Sequence, residues 1–253
     1  MTPESEEDLT GLHFFNAYEA EARSFKDDVY MLILGTLKAA VERISTDAQA
    51  ELASIERKLK KVKDGPYHQH LVDQSVDVHA QSGLQERFLR NMALVALASR
   101  LIIALRKIAK AANHYVPQKK KYGIPSDSEF VRLWKEYNER FSIDFMAHAD
   151  RVAFTEVLKE VRNHIVHEGS EANSIKANSF AALDAGEDAW LDKSFSTAHP
   201  EFVAGTGMFA EVEVKDEQLQ EMVESSLVLV DWLAGEPYAQ EQTIAAQIHP
   251  KKE

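Results

Sequence analysis

The run Arg162-Asn163-His164-Ile165-Val166-His167 places a permanent cation, a carboxamide and two imidazoles within six residues. An imidazole near neutrality can take a proton from a hydroxyl or give one to a leaving oxygen, and a guanidinium grips phosphoryl oxygens with a planar fork. Together these groups suit cleavage of a phosphodiester whose ribose carries its own nucleophile, the 2'-hydroxyl. That chemistry calls for no metal and no cofactor, and no carboxylate motif of the kind a two-metal nuclease uses is evident. With no cysteine in the chain, neither a thiolate nucleophile nor a thiolate zinc site is available.

The set works only if a helix carries it. On a helix, Asn163 and His167 lie four residues apart on one face, His164 joins the same patch, and the long Arg162 side chain swings in from a neighbouring side. The spacing predicts such a helix from about Ala147 to Glu168, with Val152, Leu158, Val161 and Ile165 recurring at helical intervals and Gly169 placed as a left-handed cap. Its C-terminal end, where backbone carbonyls attract cations, is where the motif falls.

The rest of the chain reads as elements around that helix. A first helix is expected from about Thr10 to Glu21, then a long one from Phe25 to Lys63, interrupted where Thr46-Asp47-Ala48-Gln49 has the form of a capping box. Asp64-Gly65-Pro66 ends it, and the polar, His- and Gln-rich Tyr67 to Ser82 reads as a connecting loop. Leu84 to His114 carries a broad apolar stripe suited to a central bundle helix. Ser126 and Asp127 are set to cap a helix through Phe130, Leu133, Trp134, Tyr137 and Phe141 to Met146. Ser170 to Pro200 is a long irregular connection, Phe202 to Val214 alternates around Gly205-Thr206-Gly207 as a small β-hairpin, and Asp216 caps a last helix, Gln218 to Leu233.

With Arg162, Asn163 and His167 in this setting, the sequence resembles the HEPN superfamily, which carries Arg, a polar residue, a few more residues and then His at the end of a bundle helix. The resemblance implies a mainly α fold, an antiparallel HEPN-like helical bundle with long N-terminal helices and a small β-hairpin before the last helix. Residues 1–83 would be a helical extension packed on the bundle, 84–236 the bundle and 237–253 a loosely ordered tail. It also implies a metal-independent endoribonuclease, a toxin or defence effector, with Arg162 and His167 catalytic, Asn163 supporting them and His164 an auxiliary. Family members commonly dimerise so that two motifs meet in one cleft, which makes a homodimer the expected assembly and an antitoxin or regulatory protein a further expected partner. Where one subgroup carries Tyr two residues after the His, this chain has Gly169, so control by modification of that tyrosine is not implied.

Composition bounds these readings. A formal net charge of -12 argues against a general nucleic-acid coat protein. The charge is uneven, however: thirteen acids face two bases between Asp184 and Glu236, while fifteen Lys and Arg face eight acids between Arg87 and Arg162. Lys119, Lys120 and Lys121, in a basic turn after Pro117, are the candidate RNA-backbone contacts, with Arg57 to Lys63 a second basic run. His68, His70 and His79 lack a flanking carboxylate motif and are read as a polar segment rather than a metal site. The acidic start and the interruption of the Met92 to Leu105 run by Arg100 predict a cytoplasmic protein with no membrane association. The competing reading is an inert HEPN-like binding or regulatory protein, in which Arg162 pairs with Glu156 or Glu160, His167 caps its helix and the acidic ends meet a basic partner.

Overall fold

The computed structural model describes residues 17–111, 128–145, 147–167, 171–172, 174–175 and 191–248, and these are mainly helical with two small antiparallel strand pairs. Helix α1 occupies 17–27 and runs through a π-helical segment, Asp28–Leu34, into α2, Gly35–Leu59. The expected break at Thr46 is absent. Its hydroxyl instead donates 2.7 Å back to the Glu42 carbonyl, one turn earlier in the same unbroken helix.

The segment Tyr67 to Ser82, expected as a loop, is helical. It forms the first turns of α3, Pro66–Ala111, a single helix of 46 residues. Pro66 starts it because proline's fixed φ suits the first helical position and its missing N–H would be unpaired there anyway. From His68 to Phe88 only Leu71 is fully buried, so the solvent-facing sequence carries no apolar stripe. By length and composition α3 is also the one described helix apolar enough to cross a bilayer, and 44% of its most apolar window is buried inside the protein.

After α3 comes α4, Glu129–Phe141, capped by Ser128, whose side chain accepts 3.3 Å from the Val131 N–H. The proposed caps Ser126 and Asp127 lie outside the described residues. Helix α4 ends at Phe141, not Met146, because Ser142 turns into the left-handed region with φ 53°. A single turn, α5 (Ala149–Val152), precedes the motif helix α6, Phe154–His167. The connection read as irregular contains β1 (Ser174–Ile175) paired with β2 (Leu191–Asp192), then the short α7 (Ser194–Ala198). The predicted hairpin forms as β3 (Val203–Ala204) against β4 (Glu211–Val212), with Val203 opposite Val212. The last helix, α8, spans Asp216–Ile248, starting at the expected cap and running well past Leu233.

Two compact units, each discontinuous in sequence, divide the chain. One comprises Met1–Tyr30, Ala96–Glu160 and Gln220–Glu253, with Tyr18, Leu101, Leu105, Tyr137 and Leu229 among its fully buried residues. The other comprises Met31–Val95 and Val161–Leu219, with a core that includes Leu94, Val161, Phe195, Phe202 and Val212. In this second unit the buried Asn91 amide holds β4 to α3: its Nδ2 donates 2.8 Å to the Val212 carbonyl and its Oδ1 accepts 3.1 Å from the Val214 N–H. The carboxamide thus acts as a short piece of sheet edge, pairing backbone groups that would otherwise be buried unmade.

The hairpin tip depends on glycine. Gly205 has φ +83°, and a Cβ there would sit 2.7 Å from the Phe209 carbonyl oxygen. Gly205→Ala is therefore expected to lower unfolding free energy by about 1–3 kcal/mol, measured by urea denaturation. Gly83, inside α3 with nothing within 4 Å of an added Cβ, should respond oppositely. There alanine is expected to add about 0.5–1 kcal/mol, and equal shifts at both positions would contradict the strain argument.

Candidate functional site

Helix α6 forms because Leu158, Val161 and Ile165, all buried, line one face, with fully buried Thr155 one turn before Leu158. Packing of that face fixes the helix roll and so decides where the motif points. Arg162, Asn163 and His164 flank the buried stripe and are partly buried, while Val166 and His167 are exposed at the helix end. The expected helical spacing between Asn163 and His167 is present.

Arg162 Nη1 donates 3.0 Å to Asn163 Oδ1. A carboxamide oxygen thereby steadies the guanidinium without neutralising it, which a carboxylate would do. Glu156, one of the two acids weighed as a partner of Arg162, is paired with Lys159. His167 lies on the exposed last turn.

His164 behaves differently. Its Nδ1 is buried with no hydrogen-bond partner, and its ring lies 4.0 Å from that of Phe195, tilted by 38°. The auxiliary candidate thus packs α6 onto α7. Beyond Phe195 stands a further imidazole, His199, at 5.2 Å between ring centroids. His199 Nδ1 lies 3.8 Å from Glu201 Oε1, with the histidine side chain 12% and the glutamate 52% exposed.

His199 and Glu201 were not singled out from sequence, because they lie across the end of a connection read as irregular and the start of the hairpin segment. The available local signal was Phe195 and His199 four residues apart, which puts them on one side of a single helical turn. Lys119, Lys120 and Lys121 lie outside the described residues. His68, His70 and His79 are carried on α3, and no group of three His, Asp or Glu side chains among the described residues is placed to hold a metal ion.

No family model, no curated protein and no solved structure matches this chain.

Proposed function

We propose that the chain is a metal-independent endoribonuclease of HEPN type that cuts single-stranded or loop RNA by attack of the ribose 2'-hydroxyl on the adjacent phosphate. The observation that carries this reading is the Arg162 guanidinium held by the Asn163 carboxamide at the helix end that also presents the exposed His167. Arg162 binds the phosphoryl oxygens and counters the charge that builds on them in the transition state. His167 transfers a proton at the reacting oxygen. Asn163 orients the guanidinium. Action as a toxin or defence effector, pairing of two motifs in a homodimer and restraint by an antitoxin all belong to the same proposal.

The test is incubation of the purified chain with a labelled RNA oligonucleotide in the presence of a chelator. Expected products end in a 2',3'-cyclic phosphate and a 5'-hydroxyl, and an all-deoxy strand of the same sequence survives because it lacks the nucleophile. Cleavage of the deoxy strand at a comparable rate would overturn the mechanism.

A second reading, a helical binding protein, is favoured by one feature. Between α2 and α3 an apolar groove of about 450 Å³ is lined by Ala40, Ile44, Leu84, Phe88 and Leu89, with Arg43 and Gln85 beside them. Phe88 and Leu84 are 62% and 54% exposed, more than a purely structural helix pair requires. If Arg162 and His167 variants left every activity unchanged while Phe88→Glu abolished function in the cell, this reading would replace the first.

A further inference from the structure

The basic run from Arg57 to Lys63 has no part in the reaction proposed above, yet the fold gives it a distinct place. Helices α2 and α3 belong to one compact unit and share a groove lined by Ala40 and Ile44 on one and by Leu84 and Phe88 on the other, so they fold back on each other as a hairpin. Residues 60–65 join them, and the turn is closed by the N–H groups of Lys60, Lys61 and Val62 donating to the carbonyls of Glu56, Lys58 and Leu59. The basic run therefore forms the tip of the hairpin, and α3 starts at Pro66, three residues after Lys63.

We infer that this tip binds a single-stranded nucleic acid, with its cations on the phosphates and Tyr67 stacked on a base. The cations are available. Arg57, Lys58, Lys60, Lys61 and Lys63 are all exposed. Glu56 pairs with Lys60 at 2.9 Å and Arg57 donates to the Ala53 carbonyl, whereas Lys58, Lys61 and Lys63 have no acidic partner among the described residues. In a chain of net charge -12 this is a local inversion, since cations such as Arg87, Arg100 and Lys107 are met by Glu211, Asp28 and Glu21. The acidic remainder repels a polyanion and so leaves the tip as the place where it is attracted.

An aromatic surface stands beside these charges. The Tyr67 side chain is on the first turn of α3 and 54% exposed, and its ring lies 6.5 Å from that of the exposed His70, tilted by 32°. A positively charged track next to an exposed ring is the arrangement that holds single strands without reading their sequence. The apolar members of the run, Leu59 and Val62, are half-buried, so the tip offers no apolar face to insert into a lipid surface. Attraction of cations to the end of α2 accounts for Arg57 and Lys58 in its last turn. It does not account for Lys61 and Lys63 past the helix end, nor for a bare aromatic ring on the next helix.

Binding at the tip does not depend on cleavage by Arg162 and His167, although both features belong to the same compact unit. The experiment measures binding of the full chain, across a salt series, to labelled 2'-O-methyl RNA of about 12 nucleotides, a strand that cannot be cut through its 2'-oxygen, and to DNA of the same sequence. Both single strands are expected to bind, and the corresponding duplex more weakly because its bases are already stacked. Combining Lys58→Gln, Lys61→Gln and Lys63→Gln should weaken binding by about 10–100-fold and flatten the plot of log Kd against log salt by about 2, since each phosphate contact on a single strand contributes about 0.7. Tyr67→Ala should weaken binding by about 5–100-fold with the salt slope unchanged, and Tyr67→Phe should keep the affinity. All these positions are exposed, so the urea midpoints should match that of the unaltered chain. Unchanged affinity and slope in the lysine variant, no effect of Tyr67→Ala, equal binding of the duplex, or binding to phosphatidylserine vesicles in place of the strands would each overturn the inference. Loss of strand binding to the tip variants without cleavage of ordinary RNA by the unaltered chain would overturn the ribonuclease reading alone, and cleavage with no role for the tip would overturn this inference alone.

Discussion

His167→Ala is expected to slow RNA cleavage by about 10²–10⁴-fold, the usual range for removal of a positioned proton-transfer group, with KM changed little. The effect should fall on kcat because an exposed imidazole at the helix end contributes little to holding the strand before the reaction. Arg162→Ala should differ in kind. A forked guanidinium binds the phosphate in the ground state and more strongly as charge develops, so both KM and kcat should worsen, the latter by about 10²–10³-fold. Arg162→Lys is not expected to restore the rate, since an ammonium lacks the fork. Asn163→Asp is the most informative companion. The new carboxylate would grip Arg162 at the position where Asn163 Oδ1 now accepts at 3.0 Å, and would offset its positive charge. A stable protein that binds RNA poorly is the expected outcome. Full activity of His167→Ala in the presence of a chelator would remove the imidazole from the mechanism, and toxicity on expression should track the same series of variants.

The motif helix was legible because its packing face is regular: Leu158, Val161 and Ile165 are apolar at helical spacing, and each is buried. The hairpin was legible for a similar reason, since Gly205 and Gly207 supply the positive φ values that close it. Where packing does not impose a pattern, the sequence misled. Along the start of α3 the chain buries little beyond Leu71, so a polar stretch that is helical looked like a loop. At Thr46 the four-residue signature of a helix start is present, but the hydroxyl satisfies the Glu42 carbonyl instead, a choice made by the continuing helix and invisible in the signature. The site divides in the same way. Arg162, Asn163 and His167 are local in sequence and can be proposed from it, whereas the contact that brings α7 against α6 joins His164 to Phe195, 31 positions apart, and arises only from tertiary packing.

Glu136→Ala is expected to cost about 1–3 kcal/mol of stability, although it lies outside the motif. Glu136 and Arg140 pair at 2.6 Å on one face of α4 with side chains only 9% and 2% exposed, so losing either partner takes a hydrogen bond from a charge held out of water. Truncating the acid removes the carboxylate at 2.6 Å, while the guanidinium keeps its place over the Phe141 ring at 4.9 Å and its other contacts, which temper the loss. Replacing both charges, as Glu136→Leu with Arg140→Met, should recover most of the stability, because the desolvation cost of both ions disappears along with their attraction. A urea midpoint for Glu136→Ala within experimental error of the unaltered chain, at constant m, would show that the pair is solvated after all.

The neighbouring Tyr137 sets a second, pH-dependent test. Burial, with the Glu136 carboxylate adding to it, pushes its phenol well above the usual tyrosine range, and its hydroxyl donates 2.8 Å to the Leu105 carbonyl. Because the folded-state pKa is raised, the neutral phenol's contribution is fully present below the ordinary value of about 10 and is lost as pH rises above it. Tyr137→Phe should therefore be slightly less stable near neutrality, by about 1 kcal/mol for the missing hydrogen bond, yet lose less stability between pH 10 and 12 than the unaltered chain. A parallel decline of the two proteins over that range would mean that ionisation of this phenol is not linked to unfolding.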